Sequence, residues 1–151
     1  MIETTLKLSP EARRIVNKWP GTLVPAIRMA LIEGMTRVEA SAKGDYLSGR
    51  ALQRRTGRLR NSITTSVVIE GNRVVGRIGS NVVYARIHEL GGVIRPKTAK
   101  ALRFQVGGDW VATQQVTMLA RPYLRPAIED NLDQISDRLT RRIEEHMMGV
   151  R

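Results

Sequence analysis

The chain has 151 residues, with 25 Lys and Arg against 14 Asp and Glu, a formal net charge of +11 and no cysteine. That length suits a single domain, residues 1–151, able to bury about 68–70% of its unfolded surface without covalent staples. Without cysteine there is no disulfide framework and no thiolate metal site. No run approaches the roughly 20 apolar residues of a membrane span. The first ten residues lack a signal-peptide layout, so a soluble protein made in a cytoplasm is expected.

Ser9-Pro10-Glu11 reads as a helix start, with a capping hydroxyl, a first-turn proline and a first-turn acid. The expected helix runs to about Trp19 and stops at Pro20-Gly21. Thr22 is placed to cap a second helix with Pro25 in its first turn. Leu23, Ile27, Ala30, Leu31, Gly34, Val38 and Ala42 keep helical spacing as far as about Lys43. Ala30 and Gly34 leave room for another backbone.

Residues 44–56 show no period and read as a flexible basic loop. From Lys43 to Arg60 there are six basic residues against one acid, Asp45, whereas Glu129 to Glu145 carries six acids. Such asymmetry points to an anionic partner, or to neighbouring subunits meeting through opposite charges. Arg50, Arg54, Arg55, Arg58 and Arg60 are too dense for a core, because arginine is almost never fully buried unpaired. They are candidates for a subunit interface or for a channel that faces DNA.

Ile63, Thr65, Val67 and Ile69 alternate with Thr64, Ser66, Val68 and Glu70, the pattern of a half-buried strand. Gly71-Asn72 predicts a hairpin turn, with Val74, Gly76 and Ile78 on one face of the returning strand. Between Gly79 and Gly92, the i, i+4, i+7 spacing of Val83, Ile87 and Leu90 predicts a short helix. Ser80 or Asn81 would cap it, and Gly91 would close it at positive φ. A brief strand at Val93-Ile94-Arg95 ends at Pro96, and Ala101–Val106 pairs with Trp110–Met118 across Gly107-Gly108-Asp109. Trp110, beside that turn, is an interface candidate. An extended entry, Arg121 to Pro126, leads into one last helix reaching about Met147, with Ile128, Leu132, Ile135, Leu139 and Ile143 as its stripe. The fold class is α+β: N-terminal helices, an antiparallel sheet of about four strands interrupted by a short helix, and a long C-terminal helix packed on the sheet.

Catalytic signatures are missing. His88-Glu89 is followed by Leu90-Gly91-Gly92, so the second histidine of a zinc-protease helix is absent. No phosphate-cradling glycine loop and no nucleophile elbow occurs. The expectation is therefore no enzyme, no cofactor and no metal. His88 and Glu89 are expected to be structural, Glu89 accepting hydrogen bonds or pairing with Arg58 or Arg121.

Three blocks carry a resemblance. They are Thr56-Gly57-Arg58-Leu59-Arg60-Asn61-Ser62-Ile63; Gly79-Ser80 with Tyr84-Ala85-Arg86-Ile87-His88-Glu89-Leu90-Gly91; and Arg121-Pro122-Tyr123-Leu124-Arg125-Pro126-Ala127. In this order, over about residues 56–128, they resemble the neck and tail-completion proteins of tailed bacteriophages, the virion morphogenesis type. The blocks match T-G-x-L-x-x-S-I, G-S-x-x-x-Y-A-x-x-h-E-x-G and R-P-F/Y-L-x-P-A; Leu90 stands where many members carry Phe. The resemblance implies a structural virion protein that forms a homo-oligomeric, six-fold ring at the head–tail junction. Such a ring completes the tail and supports its attachment and DNA passage. Implied partners are other neck, connector and tail proteins, with non-specific contact to packaged DNA and no membrane. The implied location is the virion neck or tail, and the host cytoplasm during assembly. The alternative, resting on charge alone, is a small basic DNA-binding accessory protein. That function would concentrate the basic residues on one groove-reading helix, which this chain does not do.

Overall fold

The computed structural model describes residues 23–149 except Arg54 and Asn72, together with Arg14 and Gly21. The helix expected at 9–19, the Thr22 cap and the Asn72 half of the hairpin turn lie outside the described residues. The first described helix, α1 (Val24–Ser41), has proline in its first turn, as expected. Its apolar stripe faces inward: Ile27, Ala30, Leu31, Gly34, Met35 and Val38 are buried. Leu23 and Ala42 extend the same buried line at either end.

The chain does not become a loop after Lys43. Ala42–Arg50 winds on as wider π-helical turns, kinked at Ser48 and Gly49. Ala51 N–H donates to the Tyr46 carbonyl at 2.9 Å, the i→i+5 bond that defines such a turn. Gly44 and Gly49 weaken the helical signal in sequence. Burial of Tyr46 and Leu47 in the core supplies what local propensity lacks. Only beyond Arg50 does irregular chain begin. It ends at Gly57, whose φ of +75° opens the four-residue helix α2 (Arg58–Asn61).

β1 (Ile63–Glu70) and β2 (Arg73–Ser80) form the expected antiparallel hairpin, in register from Ile63 opposite Ser80 to Glu70 opposite Arg73. The hairpin packs on α1, where Gly76 lets Met35 approach: a Cβ there would stand 2.8 Å from the methionine sulfur. The short helix α3 (Ala85–Leu90) follows, with a different inner face from the expected one. Val83 precedes the helix and is 96% exposed, and Leu90 is 50% exposed. Ala85 and Glu89, at i and i+4, point inward instead. Ser80 caps no helical amide of α3; its hydroxyl accepts from Val82 N–H. Gly91 does close the helix at φ +68°.

The remaining strands divide differently from the single expected hairpin. β4 (Leu102–Val106) pairs with β5 (Asp109–Thr113), while β6 (Val116–Met118) turns away to pair with β3 (Gly92–Ile94). The antiparallel layer thus consists of three two-stranded pieces. Residues 110–118 are two strands, because Thr113 and Gln115 bond to each other at the corner between them.

The C-terminal segment is α+β packing as expected, but in two helices: α4 (Leu124–Glu129) and α5 (Leu132–Gly149). Asn131 sits buried at the break, its side-chain amide donating to the Ala127 carbonyl at 2.8 Å and its own carbonyl accepting from Ile135 N–H. The bend exposes Leu132, while Ile135, Leu139 and Ile143 stay in the core. There α5 lies on α1, and Gly34 is the point of close approach, since a Cβ would meet Ile135 at 2.8 Å. Glu33 fastens the pair from outside, accepting from Arg138 at 3.1 Å and Arg142 at 2.6 Å. Those bonds, Arg142 first, hold the Glu33 carboxyl below its ordinary range.

Candidate functional site

The three sequence blocks are joined in space by hydrogen bonds, to the main chain between the second and third and between two hydroxyls from the first to the second. Glu89, only 4% exposed, projects from α3 towards the start of α4. Its Oε2 accepts from Tyr123 N–H at 2.8 Å and Leu124 N–H at 2.9 Å, and its Oε1 from Arg125 N–H at 3.0 Å. Glu89 therefore accepts hydrogen bonds, as expected, but from backbone and not from Arg58 or Arg121. These amides are the free donors at a helix start, which α4 satisfies with no capping side chain of its own. Pro122 just upstream and Pro126 in the first turn leave the intervening amides pointing at one carboxylate.

Tyr123 completes the joint. Fully buried, it reaches the Ala85 carbonyl with its hydroxyl at 3.5 Å. Burial first, then the nearby Glu89 charge and Tyr84, push its phenol well above the ordinary range. Leu124 and Ala127 fill the core beside it. Gly91 is required at its position: a Cβ would lie 2.7 Å from Ala120 N and 2.9 Å from the Met118 carbonyl oxygen, besides the positive φ. Arg121 N–H donates to the His88 carbonyl at 2.7 Å, so the chain entering the third block is tied to the second.

A second relay joins the first block to the second. Val82 N–H donates to Ser80 Oγ at 3.1 Å, Ser80 and Ser62 hydroxyls meet at 2.7 Å, and Ser62 Oγ donates to the Leu59 carbonyl at 2.7 Å. Only one direction of donation satisfies all three bonds, with Ser80 donating to Ser62. Thr56 Oγ1 accepts from Arg58 N–H at 3.4 Å, a long bond at the start of α2. Gly79, on β2 opposite Thr64, is buried.

Between these joints lies an open cleft of about 750 Å³, bounded by Leu47, Ala51–Gln53, Arg55–Arg60, Tyr84, His88 and Arg121. It brings Thr56, Gly57, Leu59, Tyr84, His88 and Arg121 together with the basic segment. His88 stands edge-on to Tyr84, with ring centroids 5.8 Å apart, and its Nδ1 is buried without a partner. Burial, then the Arg121 charge, lowers the His88 pKa below its usual value, so the ring is neutral at pH 7. A neutral imidazole beside guanidinium groups can donate or accept a hydrogen bond to a bound group. Among the described residues no group of three or more His, Asp or Glu could hold a metal ion.

The individual arginines differ in setting. Arg50 is engaged: it stacks over the Tyr46 ring at 4.7 Å and reaches Asp130 at 3.3 Å. Asp130 also accepts from the Tyr46 hydroxyl, a bond that raises the Tyr46 pKa. Arg60 Nε donates to the Lys43 carbonyl at 3.0 Å. Arg55 and Arg58 are exposed on the cleft, and Arg54 lies outside the described residues. Trp110 does not line the cleft; it lies on β5 and is 73% exposed. Sequence reasoning missed Tyr46, Asp130, Glu33 and Glu39. Glu39 joins Lys43 at 2.6 Å and Thr65 Oγ1 at 2.7 Å, tying α1 to β1. A lone tyrosine amid basic residues was the one available signal for Tyr46; the others depend on contacts made across the fold.

The fold is α+β, and buried side chains at its joints fasten distant main-chain segments to one another. The model of the phage virion morphogenesis family matches residues 35–148, and the chain belongs to that family. It is a bacteriophage protein of virion assembly, associated with the virion. No curated protein and no solved structure matches the chain. No described helix is long and apolar enough to cross a membrane.

Proposed function

We propose that the protein assembles as a closed homo-oligomeric ring, six-fold, at the head–tail junction, where it completes the tail and supports attachment to the head and passage of DNA. The observation that carries this reading is the family match over residues 35–148. A physical feature supports it. In the β4–β5 hairpin the register places Phe104 opposite Val111 on one face, while Trp110 lies opposite Gln105 on the other. Both faces of the hairpin are open, and Phe104, Val106, Trp110 and Val111 are all exposed. An isolated two-stranded ribbon is marginal in water, and exposed aromatic and aliphatic side chains on it are typical of a surface that another protein covers. Head-to-tail contact of this hairpin with a different surface of the next copy gives a ring where the rotation between copies closes.

Partners on this reading are further copies of the chain, neck, connector and tail proteins, and packaged DNA touched without sequence preference. Mass photometry and cryo-electron microscopy of the purified protein, alone and with the phage's neck proteins, test it. A ring of fixed stoichiometry is expected in at least one condition. A strict monomer in both overturns the proposal.

A further inference from the structure

We infer that the arginine-rimmed cleft is a docking site for an acidic, amphipathic segment of another virion protein, whose carboxylates meet Arg55, Arg58 and Arg121 while its apolar side chains rest on Leu52 and Leu59. The inference rests on the reading of the chain as an assembly protein, and it specifies the chemistry of one partner. Three observations carry it. First, these arginines share one cleft, and none has a carboxylate partner among the described residues. Like charges gathered in one concave site, on a chain already at +11, favour an anion there. Secondly, the floor is apolar: Leu52 and Leu59 are partly buried hydrophobics packed against the core but not closed over by it. Thirdly, His88 stands in the cleft wall, and its Nδ1 is buried with no hydrogen-bond partner, so turning the ring towards an occupant loses no bond at that atom.

Duplex DNA fits these features less well. It presents phosphates on a convex rod, so it would span the rim and leave the apolar floor empty. A single strand needs successive aromatic platforms, and here one tyrosine stands edge-on to a histidine. An amphipathic helix laid in a groove uses both an apolar floor and a charged rim. A second copy of this chain is a poorer occupant, because its helix α5 sets three arginines against four acids and already spends Ile135, Leu139 and Ile143 on its own core.

The test is fluorescence anisotropy on the full-length protein with three fluorescein-labelled probes. These are a 16-residue peptide of Leu, Glu and Ala with Leu at helical spacing, the same peptide with every Leu replaced by Ser, and a 20-base-pair DNA duplex. The Leu-Glu peptide should bind. The double variant Arg58→Ser, Arg121→Ser should weaken it at least tenfold, with an unchanged circular dichroism spectrum, since both side chains lie on the surface. The Ser-Glu peptide should bind at least tenfold more weakly than the Leu-Glu peptide. Equal binding of the two peptides overturns the inference, as does indifference to the arginine variant or failure of the Leu-Glu peptide to bind. Duplex DNA that displaces the Leu-Glu peptide and weakens equally in the variant makes the cleft a nucleic-acid site and overturns it too. Mass photometry on the same samples separates the two claims. Rings without peptide binding refute the docking site alone, and peptide binding by a protein that stays monomeric both alone and with the neck proteins refutes the ring alone.

Discussion

Replacing Glu89 with Ala should be the most damaging single substitution of a polar side chain among the described residues. The carboxylate receives three main-chain N–H groups at 2.8–3.0 Å. Truncation leaves those donors without an acceptor. Tyr123 and Leu124 are buried, so water cannot replace the lost partner there, whereas the bond to Arg125 is only partly buried. Orphaning a buried donor costs about 1–3 kcal/mol, and the two inaccessible ones set an expected loss of about 4 kcal/mol. For a domain of this size that is a fall in Tm of about 8–16 °C. Glu89→Gln keeps one oxygen, enough for Tyr123 and Leu124, but turns an NH2 group towards Arg125 N–H and removes the charge that strengthens all three bonds. Its expected cost is about 1–2 kcal/mol. Urea denaturation followed by circular dichroism measures both. An alanine variant within about 0.5 kcal/mol of wild type, the scatter of ordinary surface changes, would show that the start of α4 does not depend on this carboxylate.

Gly91→Ala should cost about 2 kcal/mol or more, because it combines positive φ with a clash against main chain; Gly71→Ala, at φ +60° with nothing within 4 Å, should cost about 1 kcal/mol. Equal losses in thermal melts would remove the argument for a close approach at Gly91. Ser80→Ala breaks the relay from Val82 to Leu59 and should lower stability by about 1–2 kcal/mol, as should Ser62→Ala, with the double variant losing less than the sum of the two; strictly additive losses would deny that the two hydroxyls act together. For His88 the folded pKa lies below the unfolded one. As pH falls below about 6.5 the unfolded chain takes up this proton first, so stability declines from there down to the folded value. His88→Gln should fold normally and flatten that decline between pH 7 and pH 5; an unchanged slope would mean the ring does not titrate as its surroundings imply.

Sequence by itself determined those elements whose pattern is local. The stripe from Leu23 to Ala42, the alternation through β1 and β2, and the positive φ of Gly91 follow from period and from the one residue that tolerates such a backbone. The family blocks were legible too, since they need only order and spacing. Tertiary structure decided the rest. A π-helix with two glycines at 42–50 exists because Tyr46 and Leu47 find a core and Asp130. One apolar stripe from Ile128 to Ile143 became two helices because Asn131 found main-chain partners at the bend. The inner face of α3 went to Ala85 and Glu89, against hydrophobic order, because three amides distant in sequence wait for a carboxylate there. Periodicity records which residues leave water, but it cannot record which main-chain donors from elsewhere will meet a buried charge, and that meeting sets the free energy at this joint.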